Sequence, residues 1–247
     1  MTKTDKAKCL DPVWEGTAHC ATCAVRRYTM FAGVPAASFD HLLKPIDQIH
    51  YPARAHLYRE NDSAEFIYVI RHGLVKLEHT TPRGELRVVR LLGQGDTVGL
   101  EAVLDRGNRY GQSAITLREV EVCRIPHENL IQLEREHPAV SEAVMRHWQR
   151  QLEAADRVIV DFSTGKVRER VARVLLRLAY DSRQQKLADM EMLGVEDIAA
   201  LVGVTPESVS RCLADMKRER LLVKSAAHRF VFDWAGLTEA STPDLET

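Results

Sequence analysis

The stretch VEDIAALVGVTPESVSRCLADMKRERLL, residues 195–222, constrains this chain more than any other. Ile198, Ala199, Leu201 and Val202 fall on one face of a first helix. Gly203 ends that helix, because glycine accepts the positive φ of a helix C-terminus. Thr205 then caps a second helix and Pro206 suits its first turn. Val209 and Leu213 point inward at a four-residue step. Glu207, Ser208, Ser210 and Arg211 are left facing outward near the N-terminal end, where a recognition helix meets base edges in the major groove. Arg211 has the fork to pair with guanine, and Glu207 can accept from a cytosine amine. Lys217, Arg218, Arg220 and Lys224 follow as phosphate contacts. The pattern predicts a helix-turn-helix for double-stranded DNA. The plainer alternative is a helical hairpin with a solvated charged face. The formal net charge of the 247 residues is −1, so this local basic set carries the case rather than the whole chain.

Upstream the periodicity changes from helical to alternating. From about 46 to 126, EFIYVIRHGLVKLEHT, ELRVVRLLG, GQSAITL and EVEVCRIP read as short strands punctuated by Gly73, Gly84, Gly93, Gly95 and Gly99. Such spacing predicts a small antiparallel barrel or roll. A short helix is expected near Ala36–Leu43 and another over PHENLIQLEREHP. A long helix follows from about Ala139 to Phe162. Val144, Trp148, Leu152, Ala155, Ile159 and Phe162 recur along it at three- and four-residue steps, the pattern of a helix pairing lengthwise with a twin. Ordinary packing on the roll is the alternative. Ala155 in that seam, with Asp156 toward its edge, predicts a dimer that needs no cofactor. STGK, residues 163–166, breaks the helix as a hinge. The expected division is an arm at 1–30, a β-roll at 31–137, a dimerisation helix at 138–163 and a DNA-binding unit at 164–235. The polar segment 236–247 is expected to be a disordered tail.

No apolar run reaches membrane-spanning length, and the basic residues of MTKTDKAKCLDPVWEG are not followed by an apolar core, so a secretory signal is not expected and the expected compartment is the cytoplasm. Thiols stay reduced there, and AHCATC, with Cys20 and Cys23, points to metal or redox chemistry. In REVEVCRIP, Val120 and Val122 share one strand face, while Glu119, Glu121 and Cys123 share the other. A cysteine on the more polar face is explained if it meets the cysteine-bearing arm. Cys212 reads as a packing residue of the second DNA-domain helix.

A β-roll, a long helix and a C-terminal winged helix-turn-helix, in that order, resemble the CRP/FNR family of transcription regulators. The motifs YVIRHGLVKL, LGQGDTVGLEAVL and TPESVSR carry the likeness over nearly the whole chain. The resemblance implies an α+β fold with a cyclic-nucleotide-binding-like roll, a homodimer, RNA polymerase as a partner, and no enzymatic activity. No nucleophile–base motif, metalloprotease motif or phosphate loop opposes that last point. Glutamate, two residues, serine and arginine in TPESVSR match the FNR-like branch, and imply a palindrome of the type TTGAT-N4-ATCAA. The family's nucleotide pocket uses an arginine beside a serine. Here Gln112 precedes Ser113, and a neutral amide supplies no charge for a buried phosphate, so cyclic nucleotide is not expected. The FNR branch holds a [4Fe-4S] cluster on three N-terminal cysteines and one in the roll. Cys20, Cys23 and Cys123 match; AVRRYTMFAG holds no cysteine, and Cys9 upstream completes a set of four thiolates. Structural zinc on the same thiolates, haem, a thiol switch without a cluster, or a small organic effector in the roll are the alternatives.

Overall fold

The computed structural model describes residues 11–101, 109–184 and 189–242. Within them the chain divides into two units. One is built from the residues up to His79 and Val89–Leu152, the other from Thr80–Val88 and the residues from Glu153 onward. The division falls inside the long helix rather than at the break expected near residue 163.

The first unit is the β-roll. Its strands are β1 (Val13–Thr17), β2 (Asp47–Tyr51), β3 (His56–Tyr58), β4 (Phe66–His72), β5 (Val75–Thr80), β6 (Leu86–Leu92), β7 (Thr97–Val98), β8 (Ser113–Thr116) and β9 (Val120–Pro126). They form two antiparallel sheets, in the orders β1-β2-β9-β4-β7 and β3-β8-β5-β6. Apolar residues from both sheets, Ile67, Ile70, Val75, Val120 and Val122 among them, close the core. Gly73 makes the β4–β5 turn at φ 99°; a Cβ there would stand 2.3 Å from the Glu119 carbonyl oxygen, so only glycine fits. The four strand runs expected from the sequence appear as β4–β5, β6, β8 and β9.

Within the expected N-terminal arm, Val13–Thr17 is a strand of this sheet. β1 pairs with β2 from Val13 opposite His50 to Thr17 opposite Asp47. A bulge between Trp14 and Gly16 breaks its alternation, which hides the strand from a period-two reading. The short helix near residue 36 is a 3₁₀ turn, Ala36–His41.

Helix α1 (His127–Glu136) leads to the long helix α2 (Ala139–Ser163). Thr164 Oγ1 donates to the Val160 carbonyl at 2.6 Å and Gly165 takes φ 87°, which ends α2 at the expected STGK break. Val140 and Val144 pack into the roll core, and Trp148 lies against it. Val144 (7% exposed) and Phe162 are therefore covered by their own chain, a correction to the expected pairing stripe. The large apolar side chains exposed on α2 are Met145, Leu152, Ile159 and Val160; Ala155 is half-buried.

His147 (1% exposed) fixes α2 to the roll: its Nε2 accepts from the Thr97 amide at 3.3 Å and from Gln151 Nε2 at 2.9 Å. Burial, and then the Arg150 charge, push its pKa down from 6.5 to about 4. Between those values the unfolded chain binds the extra proton, so stability is full above about pH 6.5 and is lost as pH falls toward 4. The loss is about 3 kcal/mol. Urea unfolding of the metal-free protein across this range should record it, and His147→Gln should flatten it. An equal loss in the variant would assign the effect elsewhere.

The second unit holds α3 (Val167–Gln184), β10 (Met190–Glu191), α4 (Val195–Val202), α5 (Pro206–Arg218), β11 (Leu222–Ala226), β12 (Arg229–Phe232) and α6 (Trp234–Ser241). The three strands form one sheet in the order β10-β12-β11. α6 corrects the expected tail. Asp233 caps it by accepting from the Gly236 amide at 3.2 Å, Leu237 is fully buried, and Arg173 Nε donates to the Ser241 carbonyl at 2.9 Å. The domain thus continues beyond residue 235; of the expected tail, residues 243–247 lie outside the described residues.

Candidate nucleic-acid interface and thiol pocket

The α4–α5 pair follows its local code closely. Ile198, Ala199, Leu201 and Val202 of α4 are buried, and Gly203 closes it at φ 69°, ψ 42°. The Thr205 hydroxyl accepts from the Ser208 amide at 3.4 Å, and Pro206 takes the first turn of α5. Val209, Cys212, Leu213 and Met216 of α5 are buried. That leaves Thr205, Glu207, Ser210 and Arg211 exposed and Ser208 half-buried on one outward surface, with Lys217 and Arg218 exposed further along. Arg218 pairs with Asp215, and the Arg211 charge is felt by the neighbouring Glu207 carboxylate. Lys217 Nζ sits 4.9 Å over the Phe230 ring of β12. The amide of Glu207 itself, then the Thr205 hydroxyl, hold the Glu207 carboxyl below the usual range, so it stays anionic. Beyond α5, β11 and β12 form an antiparallel hairpin with exposed Lys224 and His228 at φ 59° near its tip. This is a winged helix-turn-helix.

The second site lies in the roll unit. In β9, Cys123 stands opposite Gln48 of β2 and Val69 of β4. Glu121, two residues earlier, shares its face. Val69 faces Cys123 across β4–β9, and Arg71, two residues further along β4, falls on the same face by strand alternation. The 3₁₀ turn Cys20–Thr22 and the chain after it cover that face. Cys20, Cys23 and Cys123, with Arg71, Thr29 and Phe31, line one small pocket of about 30 Å³ whose walls are mostly apolar. Cys123 is buried because the arm covers it, which explains a cysteine on the face shared with Glu121.

Arg71 is the feature of this pocket that the sequence reading missed. Its Nε donates to Glu121 Oε1 at 2.5 Å, and its Nη1 lies 3.3 Å from Cys23 Sγ and 3.8 Å from Cys123 Sγ. Burial first, then the neighbouring Cys123 and Cys23, push the Cys20 thiol up to about 11. Burial also raises Cys123, against the Arg71 hydrogen bond. The three thiols suit a soft metal group, and thiolate ligation would release their protons. They line the pocket without converging on a point: among the described residues no set of three donors is arranged to hold a metal ion. AVRRYTMFAG sends Arg26 and Thr29 to the pocket; the Thr29 hydroxyl is committed to the Arg26 carbonyl at 2.8 Å and the Phe31 amide. Cys9 lies outside the described residues.

The roll also supplies a cation that was not expected. Arg90 of β6 lies between Val88 and Leu92 on the buried face of its strand, the one sequence signal that could have found it. Its Nη2 donates to Gln112 Oε1 at 3.1 Å and its Nη1 to Gln151 Oε1 at 3.0 Å, tying the roll to α2. Glu101 and Trp148 line the same small cavity.

The chain matches the cyclic nucleotide-binding domain family over residues 48–137 and the Crp-like helix-turn-helix domain family over residues 169–240. It is a member of the CRP/FNR family of DNA-binding transcription regulators. It is 29% identical over 192 residues to the CRP-like cAMP-activated global transcriptional regulator of Mycobacterium tuberculosis, covering 76% of this chain and 85% of that protein. It is 24% identical over 233 residues to the fumarate and nitrate reduction regulatory protein of Vibrio cholerae, covering 93% and 92%. In fold it resembles FixK2 from Bradyrhizobium japonicum, with a TM-score of 0.68 at 22% identity over 80% of this chain and 98% of that one. These relatives are regulators, not enzymes, in line with the expectation. Among the described residues no helix is long and apolar enough to cross a membrane.

Proposed function

We propose that this regulator is FNR-like. It binds a TTGAT-N4-ATCAA-like palindrome as a homodimer, acts in the cytoplasm with RNA polymerase as its partner, and has its DNA affinity set by an iron–sulfur cluster. The observation that carries the reading is the meeting of Cys20 and Cys23 of the arm with Cys123 of β9 in one pocket. Cys9 is the fourth ligand in this proposal. A bound [4Fe-4S] cluster would supply a redox group labile to oxygen or NO. The residues themselves do the coupling: Cys20 and Cys23 anchor the arm and Cys123 anchors the central strand of the sheet. Loading the pocket would therefore tie the segment around Cys20 and Cys23 to β9.

Protein purified without air should be brown, contain iron and sulfide, and bleach in air. Cys20→Ser, Cys23→Ser and Cys123→Ser should each abolish the colour, since a hydroxyl is a poor substitute for a soft thiolate. Full iron in Cys9→Ser would remove Cys9 from the ligand set. A second reading, a thiol switch without a cluster, is favoured by the hydrogen bonds from Arg71 to Cys23 and Cys123. Colourless anaerobic protein without iron, whose DNA affinity changes on peroxide treatment, would select it.

A further inference from the structure

We propose that Arg71 is the positioning and charge-compensating residue of the thiol pocket: braced by Glu121, it donates to the sulfurs of Cys23 and Cys123 and stabilises the negative charge of the group they ligate. This rests on the cluster reading above.

The argument begins with what Arg71 gives up. Its side chain is only 22% exposed, so its donors have lost most of their water. Nε has a strong acceptor in Glu121 Oε1, which is itself held by Gln48 Nε2 at 2.7 Å. Nη1 faces two sulfurs, and a neutral thiol is a weak acceptor. A part-buried guanidinium nitrogen matched only to weak acceptors is a poor arrangement. It becomes a favourable one when the sulfurs are thiolates, because the hydrogen bonds are then charge-assisted. Metal ligation requires that deprotonated form. Strand alternation places Arg71 on the pocket face and the Glu121 brace fixes its fork before any metal arrives. Arg26, the other cation near Cys20, differs: its Nη1 is spent on the Val34 carbonyl at 2.8 Å.

A [4Fe-4S] cluster held on cysteine thiolates would be anionic, and reduction would add a further negative charge. Hydrogen bonds to the sulfurs and nearby positive charge raise the reduction potential. Removing Arg71 should lower it.

The test compares wild type, Arg71→Met and Arg71→Lys, loaded anaerobically with iron and sulfide. Arg71→Met is expected to take up iron but to titrate at a more negative midpoint potential and to bleach several-fold faster in air. Arg71→Lys should recover part of the potential, because it keeps the charge and loses the fork. Thermal unfolding of the metal-free proteins runs alongside. An Arg71→Met protein that is destabilised without metal, yet loads a cluster at the wild-type potential, would make Arg71 merely structural and overturn the proposal. Wild type that takes up no iron would overturn the cluster reading, and this one with it. Loaded wild type with an indifferent Arg71→Met would sink this one alone.

Discussion

Arg211→Ala should leave a protein that still binds duplex DNA but no longer chooses among sequences. Arg211 is exposed on the outward face of α5, one step from the buried Cys212 and two from Val209, so its side chain is free to reach a base edge. A bidentate contact to guanine is worth about 1–3 kcal/mol of discrimination. A dimer on a palindrome makes it twice, so the expected loss is about 2–6 kcal/mol in specific binding. Binding to a scrambled duplex should barely change, because phosphate contacts from Lys217 and the wing do not read sequence. Fluorescence anisotropy titrations on the palindrome and its scrambled counterpart, at one salt concentration, give the ratio directly. Unchanged discrimination would remove Arg211 from the reading set. Lys217→Ala serves as the contrast, weakening both duplexes alike.

Leu152→Glu should turn a metal-free dimer into a monomer. Met145, Leu152 and Ile159 recur at seven-residue steps on α2, and Leu152 and Ile159 are 64% and 63% exposed in the single chain. Three large apolar side chains in a heptad line, open to water, fit the seam of a paired helix. A glutamate at the centre of that seam would lose hydration and face its twin's like charge, at a cost of several kcal/mol. Sedimentation at micromolar concentration should find dimer for the wild type without cofactor and monomer for the variant. A wild-type monomer that dimerises only on iron loading would mean that assembly itself is the switch. Val144→Glu separates the two faces of the helix: Val144 packs into the roll core, so the expected result there is loss of folded roll rather than clean monomer.

The helix-turn-helix was legible because every element of it is local. Gly203, Thr205 and Pro206 act within one turn, and the inward spacing of Val209 and Leu213 needs only the helical period. The end of the chain misled for a related reason. LTEASTPDLET reads as polar, but Asp233 and Gly236 form a cap three residues apart, just upstream, and Leu237 alone supplies the anchor.

The sequence by itself determined the strand runs, the glycine turn at Gly73, the long helix with its STGK end, the reading helix, and the placement of Cys123 on the same strand face as Glu121. All of these follow from backbone preferences and side-chain periodicity over a few neighbouring residues. Only the tertiary structure decided what meets across strands and which apolar face is covered. The pairing of β4 with β9 brings Arg71 to the thiols, and β6 delivers Arg90 where Gln112 had suggested no cation. Packing of α2 on the roll takes Val144 out of the apolar stripe and leaves Met145, Leu152 and Ile159 open. The helical period names a stripe, but not which edge of it a neighbouring sheet will occupy. That edge is set by the fit of two surfaces distant in sequence, and a linear pattern carries no record of the fit.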